Sequence, residues 1–203
     1  NGIDNKNKIA TQLPNNLITE GCVYLISRLE KPGLIVKKGE INLLFFGVNN
    51  QENEKLQTLQ KILENSTIKS DLSKDISKIA WEKFIFLSSI ATSTTYYNAD
   101  IGEVLSNEEK YNLLTRLINE VTNLAQSKKI NIDENQVEIV LKKLKPLPYN
   151  ATTSMHSDFR NGKSRTELES LTGYVVSEGR KHGINVDTFT MMYNKIKKGF
   201  NRT

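Results

Sequence analysis

Residues 75–95 read DISKIAWEKFIFLSSIATSTT, an apolar run that sets a single lysine, Lys83, in its middle. Taken as a helix, the run brings positions three and four apart side by side. For Lys83 those neighbours are Ile79, Ala80, Phe86 and Leu87, all apolar. Burial penalises the charged form of an amine, so an amine in such surroundings gives up its proton more readily than one in water. Two roles fit. Lys83 is either a sheltered proton donor, or a lysine whose methylenes lie along apolar surface while its ammonium reaches water.

On the amino-terminal side of this helix, strand and helix patterns alternate. Residues 5–13 read as a short helix stopped by Pro14, and residues 17–29 as a strand closed by a turn at Pro32-Gly33. Residues 34–38 and 41–46 flank Gly39-Glu40, a reverse-turn signal that predicts a hairpin. Leu56, Leu59 and Leu63 have helical spacing within 53–65, and 67–71 reads as a last short strand. From about residue 73 the strand patterns stop, which places a domain boundary there and gives domains 1–72 and 73–203.

On the carboxyl-terminal side, helices follow one another. A short turn of helix covers 99–105, and Ser106 with Glu109 forms a capping-box signature for the next long helix. That helix carries Leu113, Leu114, Leu117, Ile118, Val121, Leu124 and Ala125 as a core-facing stripe. Asp133 is placed to cap a helix bearing Val137, Val140, Leu141 and Leu144. Ser164 opens another, with Leu168, Leu171, Val175 and Val176, which stops at Gly183; a last helix covers 186–200.

The composition, 37% apolar and 25% charged over 203 residues, is that of a globular chain. No apolar run reaches the roughly 20 residues of a membrane helix, and no signal-peptide pattern opens the chain, so no membrane partner and a cytoplasmic location are expected. Cys22 is alone and His156 and His182 lack companions, so neither a disulfide nor a metal site is expected. The net charge of +5 suits an anionic ligand. Its lysine runs, at 142–145 and 195–202, lack the interleaved aromatics of a nucleic-acid surface.

Two further motifs carry chemistry. Thr152-Thr153-Ser154-Met155 precedes a short helix, where Ser154 either caps that helix or offers its hydroxyl to an anion. Ser164-Arg165-Thr166-Glu167 is a capping box, in which Glu167 satisfies a backbone amide or faces a site. Asp158, between them, is expected to fix the local loop.

The combination of Trp81-x-Lys83, Ser154-Met155-x-x-Asp158, a short basic loop and Thr166-Glu167 resembles the ketopantoate reductases (2-dehydropantoate 2-reductases) over almost the whole chain. The resemblance implies a mostly α fold. An all-helical domain like the carboxyl-terminal domain of 6-phosphogluconate dehydrogenase would follow the last strands and helices of an α/β Rossmann domain. It implies NADP-dependent reduction of a 2-oxo acid to the 2-hydroxy acid, feeding pantothenate and coenzyme A synthesis. In this reading Lys83 is catalytic, Asn1 and Ser154 bind substrate, and Asn1, Ser27 and Glu167 lie at the cofactor. A homodimer through the helical domain is a further expectation. The Asn1-Gly2 pair matches the asparagine-glycine that ends a strand of the family's cofactor domain. No G-x-G-x-x-G occurs in the chain, and the chain does not begin with Met. Residues upstream of Asn1 carrying that fingerprint are therefore expected.

The departures are as specific as the matches. Enzymes that act on ketopantoate carry asparagines where this chain has Leu87, Ala91, Ile101 and Ala151, so the resemblance points to the reaction class more firmly than to the substrate. Two other classes remain open: a noncatalytic helical dimerisation or ligand-binding module, and a nucleic-acid-binding protein.

Overall fold

The computed structural model describes residues 2–200. The chain forms two compact units, one of residues 5–80 and the other running from Trp81 onward together with the residues up to Asp4. The division falls inside α3 (Ile76–Tyr97), the helix that carries Lys83.

In the first unit, α1 (Asn5–Gln12) leads into β1 (Glu20–Lys31) and β2 (Leu34–Gly47), which pair antiparallel, and α2 (Glu54–Glu64) connects to β3 (Lys69–Leu72), parallel to β2. The resulting three-stranded sheet has the order β1-β2-β3. Pro32-Gly33 makes the hairpin turn, with Lys31 opposite Leu34. The turn expected at Gly39-Glu40 does not form; the strand runs through it. Leu25 pairs with Asn42 and Ile26 with Lys38, so residues 39–41 bulge from β2. Gly39, at φ 72°, takes the left-handed conformation that the bulge needs. Because β1 is long enough to pair with both halves of β2, continuing the ladder satisfies more backbone groups than folding back would.

The apolar core of this unit is thin. Among its described residues the buried apolar side chains are Cys22, Phe46, Leu56 and Ile76. Asn53 caps α2, accepting from the amides of Lys55 and Leu56. Asn49 accepts from the Ser77 amide, and the Ser77 hydroxyl donates to Glu20 at 2.7 Å, which fixes the start of α3.

The second unit is helical. After α3 come α4 (Ile101–Ser106), α5 (Glu108–Ser127), α6 (Gln136–Leu144), α7 (Ser154–Arg160), a π-helical turn (Glu169–Gly173), α8 (Tyr174–His182) and α9 (Asp187–Phe200). The stripe on α5 is the centre of the core: Leu114, Leu117, Ile118, Val121, Leu124 and Ala125 are all fully buried. The later half of α3 is buried all round, from Ser88 to Thr95, although six of its eight residues are serine or threonine.

Three expected caps are replaced. Asp133 accepts from the Asn135 amide at 2.8 Å ahead of α6, whose N-terminus has Asn135 at the cap position and no side-chain cap. Asn107, rather than Ser106, caps α5 by accepting from the Lys110 amide. Ser164 does not open a helix. Residues 164–167 stay outside regular helix; Thr166 accepts from the Leu168 amide, and the chain enters the π turn before α8. Gly183, at φ 66°, ends α8 in the left-handed cap anticipated for it.

Candidate functional site

The segment before α7 is held by backbone. At the start of α4, the Ile101 amide donates to Ala151 O at 2.8 Å and the Gly102 amide donates to Tyr149 O at 2.9 Å. Amides of a first helical turn have no partner within their own helix, so the 149–151 loop satisfies two of them. Gly102 is required by the closeness of this contact: a Cβ there would collide with the Tyr149 ring and stand 2.7 Å from its Cα. Ile101 and Ala151, two positions where the resembled family has asparagines, are thus joined through their backbones.

Thr153 caps α7, accepting from the His156 amide at 3.2 Å, which leaves Ser154 as the first helical residue. Freed from capping, the Ser154 hydroxyl donates to Glu167 Oε2 at 2.8 Å. Glu167 therefore serves no capping box with Ser164. Its carboxylate is turned instead toward the serine thirteen positions earlier in the chain. The structure brings these two expected site residues together, with Ser154 exposed and Glu167 half-buried. Asp158 fixes the loop as expected, pairing with the Lys163 ammonium at 2.6 Å.

Lys83 is half-buried on α3, between Trp81 and Phe84, whose buried rings pack edge-on. Tyr174 packs edge-on against Phe84 with ring centroids 5.4 Å apart. Burial pushes the Tyr174 phenol well above its ordinary range, helped by the carboxylates of Glu178 and Asp4, so it stays protonated. Helical geometry puts Lys83, Leu87, Ala91 and Thr94 on one face of α3. Thr94 shares a hydrogen bond with Thr153, beside Ser154, at 3.1 Å. Roughly 16 Å of helix axis separates Lys83 from Thr94. Between them the face offers Leu87, half-buried, and Ala91, buried.

Ser27 is exposed on β1 opposite Lys37, in the 5–80 unit. Asn1 lies outside the described residues. Its neighbour Gly2 does belong with the helical unit: a Cβ on Gly2 would meet Ser170 Cβ at 3.4 Å, in the π turn two residues after Leu168. Among the described residues no cluster of histidine, cysteine and carboxylate suits a metal, and no helix is long and apolar enough to cross a membrane.

Sequence reasoning gave His156 no partner, and the structure buries it completely. Its Nε2 lies 2.9 Å from Asn98 Oδ1 and its Nδ1 lies 2.5 Å from Thr152 Oγ1. Burial and the nearby Arg160 guanidinium hold the imidazole below its ordinary pKa, against an opposing pull from Asp100. The signal available in sequence was Thr152-Thr153-x-x-His156, two hydroxyls within a helical turn of a ring nitrogen. It has no reading until Asn98 is known to be adjacent.

The comparisons with known proteins bear on the fold and the family. Residues 75–199 match the family model for the carboxyl-terminal region of ketopantoate reductase PanE/ApbA. A 2-dehydropantoate 2-reductase from Streptococcus pyogenes serotype M6 is 23% identical over 187 residues, covering 91% of this chain and 60% of that protein. The crystal structure of 2-dehydropantoate 2-reductase from Methylococcus capsulatus superposes with a TM-score of 0.87 at 22% identity, over 100% of this chain and 64% of that one. The ternary structure of D-mandelate dehydrogenase with NADH and anilino(oxo)acetate also has a TM-score of 0.87, at 18% identity, over 100% of this chain and 66% of that one. The chain thus spans 50–65% of the length of the curated relatives it matches. With its helical region matched over residues 75–199, the chain belongs to the ketopantoate reductase PanE/ApbA carboxyl-terminal family.

Proposed function

We propose that this chain is the carboxyl-terminal part of an NADPH-dependent reductase that converts a 2-oxo acid, ketopantoate or a related compound, into the 2-hydroxy acid. In this reading residues 1–72 complete a nucleotide-binding domain and residues 73–203 form the substrate and catalytic domain. The observation that carries it is the Ser154–Glu167 hydrogen bond at 2.8 Å, which takes both side chains away from helix capping. A serine released from its cap and held at a carboxylate is placed for ligand binding rather than for helix stability.

Reduction of a ketone builds negative charge on its oxygen, and an ammonium at that oxygen both stabilises the charge and supplies the proton. Lys83 is that donor. Ser154 turns its hydroxyl to the substrate carboxylate, which releases Glu167 to orient the lysine. The nicotinamide nucleotide would supply the hydride. No glycine-rich pyrophosphate turn occurs in this sequence, so in this reading Asn1, Ser27 and Glu167 face the nucleotide away from its pyrophosphate.

Turnover of a panel of 2-oxo acids by the full-length protein, with NADPH and with NADH, tests this. Lys83→Ala is expected to lower kcat by about 10²- to 10⁴-fold while nucleotide binding persists. Wild-type turnover in that variant, with chemistry rate-limiting, would mean that the lysine only covers apolar surface. Loss of turnover by every substrate in the wild type would favour a noncatalytic helical module.

The side-chain pocket is read as apolar. Leu87, Ala91, Ile101 and Ala151 stand where the resembled family has amides, and Ala91 and Ile101 are 2% and 4% exposed. Each unmet hydrogen bond to a buried substrate hydroxyl costs about 1–3 kcal/mol. Two such losses should lower kcat/KM for ketopantoate, relative to 2-oxoisovalerate and longer branched 2-oxo acids, by about 10²- to 10⁴-fold. A clear preference for ketopantoate would show that other residues make those bonds.

A further inference from the structure

Of the two histidines in the chain, His182 is exposed on α8 and His156 has no exposed surface at all. The chemistry assigned to Lys83, Ser154 and Glu167 makes no use of His156. We propose that His156, in its neutral Nε2–H form, is a positioning residue that ties residues 152–154 to the end of α3 and so holds the Ser154 hydroxyl at Glu167. This rests on the reading of Ser154 as the substrate-binding hydroxyl.

The donor and acceptor assignments leave one consistent arrangement. Asn98 presents its carbonyl oxygen to Nε2 at 2.9 Å, so Nε2 carries the proton. In a neutral ring Nδ1 is then an acceptor, and it takes the Thr152 hydroxyl at 2.5 Å. The His156 amide donates to Thr153 Oγ1 at 3.2 Å, whose hydroxyl donates to Thr94 Oγ1 at 3.1 Å, whose hydroxyl in turn donates to Ile90 O at 2.8 Å. With the Asn98 carbonyl oxygen toward the ring, each of these bonds has one sense that satisfies the next.

The result is two anchors at the end of α3, Thr94 in its last turn and Asn98 just beyond it, four residues apart. Ser154 lies between the residues that reach them. α7 has only seven residues, too few to hold a helix by itself, so the direction of Ser154 depends on these ties. The left-handed conformation of Asn98, φ 49°, turns the chain at the end of α3 where its amide meets the imidazole. His156 also protects the bond it sets. With both ring nitrogens engaged it fills its buried site without leaving a polar atom unmet, which a leucine of similar size cannot do for Thr152 and Asn98.

If Ser154 grips the carboxylate equally in the ground and transition states, losing its alignment raises KM and spares kcat. His156→Leu in the full-length enzyme is therefore expected to raise KM for the best 2-oxo acid by about ten-fold, with kcat within about two-fold and NADPH affinity unchanged. Asn98→Gly tolerates the same positive φ and removes only the acceptor, so it keeps the test alive should the leucine variant not fold. It should raise KM by about three-fold. Asn98→Asp, which keeps an acceptor for Nε2–H, should restore wild-type KM. Imidazole ¹⁵N spectra of the histidine-labelled full-length enzyme should show His156 neutral and protonated on Nε2.

A proton on Nδ1 would overturn the proposal. So would unchanged KM in folded His156→Leu and Asn98→Gly, or parallel losses of kcat, KM and nucleotide affinity that track the melting temperature. Ser154→Ala separates the two levels of the argument. If it raises KM while the His156 and Asn98 variants do not, only the positioning role fails. If it leaves KM unchanged, the substrate-binding role of Ser154 fails and takes the positioning role with it.

Discussion

The 5–80 unit and the helical unit have comparable apolar sequence but very different interiors. In the helical unit α5 alone buries Leu114, Leu117, Ile118, Val121, Leu124 and Ala125 without residual exposure. On the β1–β2 hairpin, by contrast, Leu29 and Ile35 face each other across the strands at 67% and 70% exposure. The difference lies in what surrounds each apolar face. A helical bundle closes on itself, because each amphipathic face meets another. A three-stranded sheet with one short covering helix has more apolar face than partner, and its strands keep exposed side chains within these residues.

The contrast is sharpest in paired truncations. Leu117→Ala should destabilise the helical unit by about 2–5 kcal/mol, since it empties a fully buried site in a close-packed interior. Leu29→Ala should change the stability of the same chain by less than about 0.5 kcal/mol. Urea unfolding of both variants measures this, and a large effect at Leu29 would reveal burial that the 5–80 unit does not itself provide.

A second variant probes close approach rather than bulk. In Gly102→Ala the new methyl meets the root of the Tyr149 ring and also its Cα, which a turn of the side chain alone does not clear, so a loss of about 1–3 kcal/mol is expected. Because Ile101 and Gly102 hold the loop before Ser154, KM for the 2-oxo acid should rise as well. A stable variant with native KM would mean that the loop moves aside without disturbing α7.

The smallest effect belongs to acid. His156 is held below the 6.5 of an unfolded histidine, so on acidification the unfolded chain takes up its proton first. The stabilising difference is complete above about pH 6.5 and is lost as pH falls from there toward the lower folded-state value. One proton limits the slope to about 1.4 kcal/mol per pH unit. Denaturation curves at successive pH values between 8 and 5 should show a shallower acid loss in His156→Leu than in the wild type. Equal slopes would mean that the acid loss comes from other groups.

How far these features were legible in the sequence follows the range of the interactions. The stripe on α5, the stop at Gly183 and the all-apolar surroundings of Lys83 are set within one or two helical turns, so a linear pattern carries them. The cap of α5 was misplaced by one residue, at Ser106 instead of Asn107, because both side chains can cap and their surroundings select one. Gly39 was read as a turn. It does take the left-handed conformation, but only the length of β1 decides whether the strand reverses there or bulges and goes on.

The amino-acid sequence by itself determined the succession of elements apart from the strand through Gly39 and the start of the helix after Ser164, the change of character near residue 73 and the motif residues Lys83, Ser154 and Glu167. Periodicity, turn chemistry and spacing are local, and they survive in one dimension. The tertiary structure decided what each polar group does. Ser154 and Glu167 each had a local capping role open to them, and contact across the fold assigned the cap to Thr153 and joined the two at 2.8 Å. His156 had no legible role because its partners, Asn98 and Thr152, reach it from two separate stretches of chain. A buried imidazole acquires a tautomer only when both nitrogens have found their partners, and that is settled by packing.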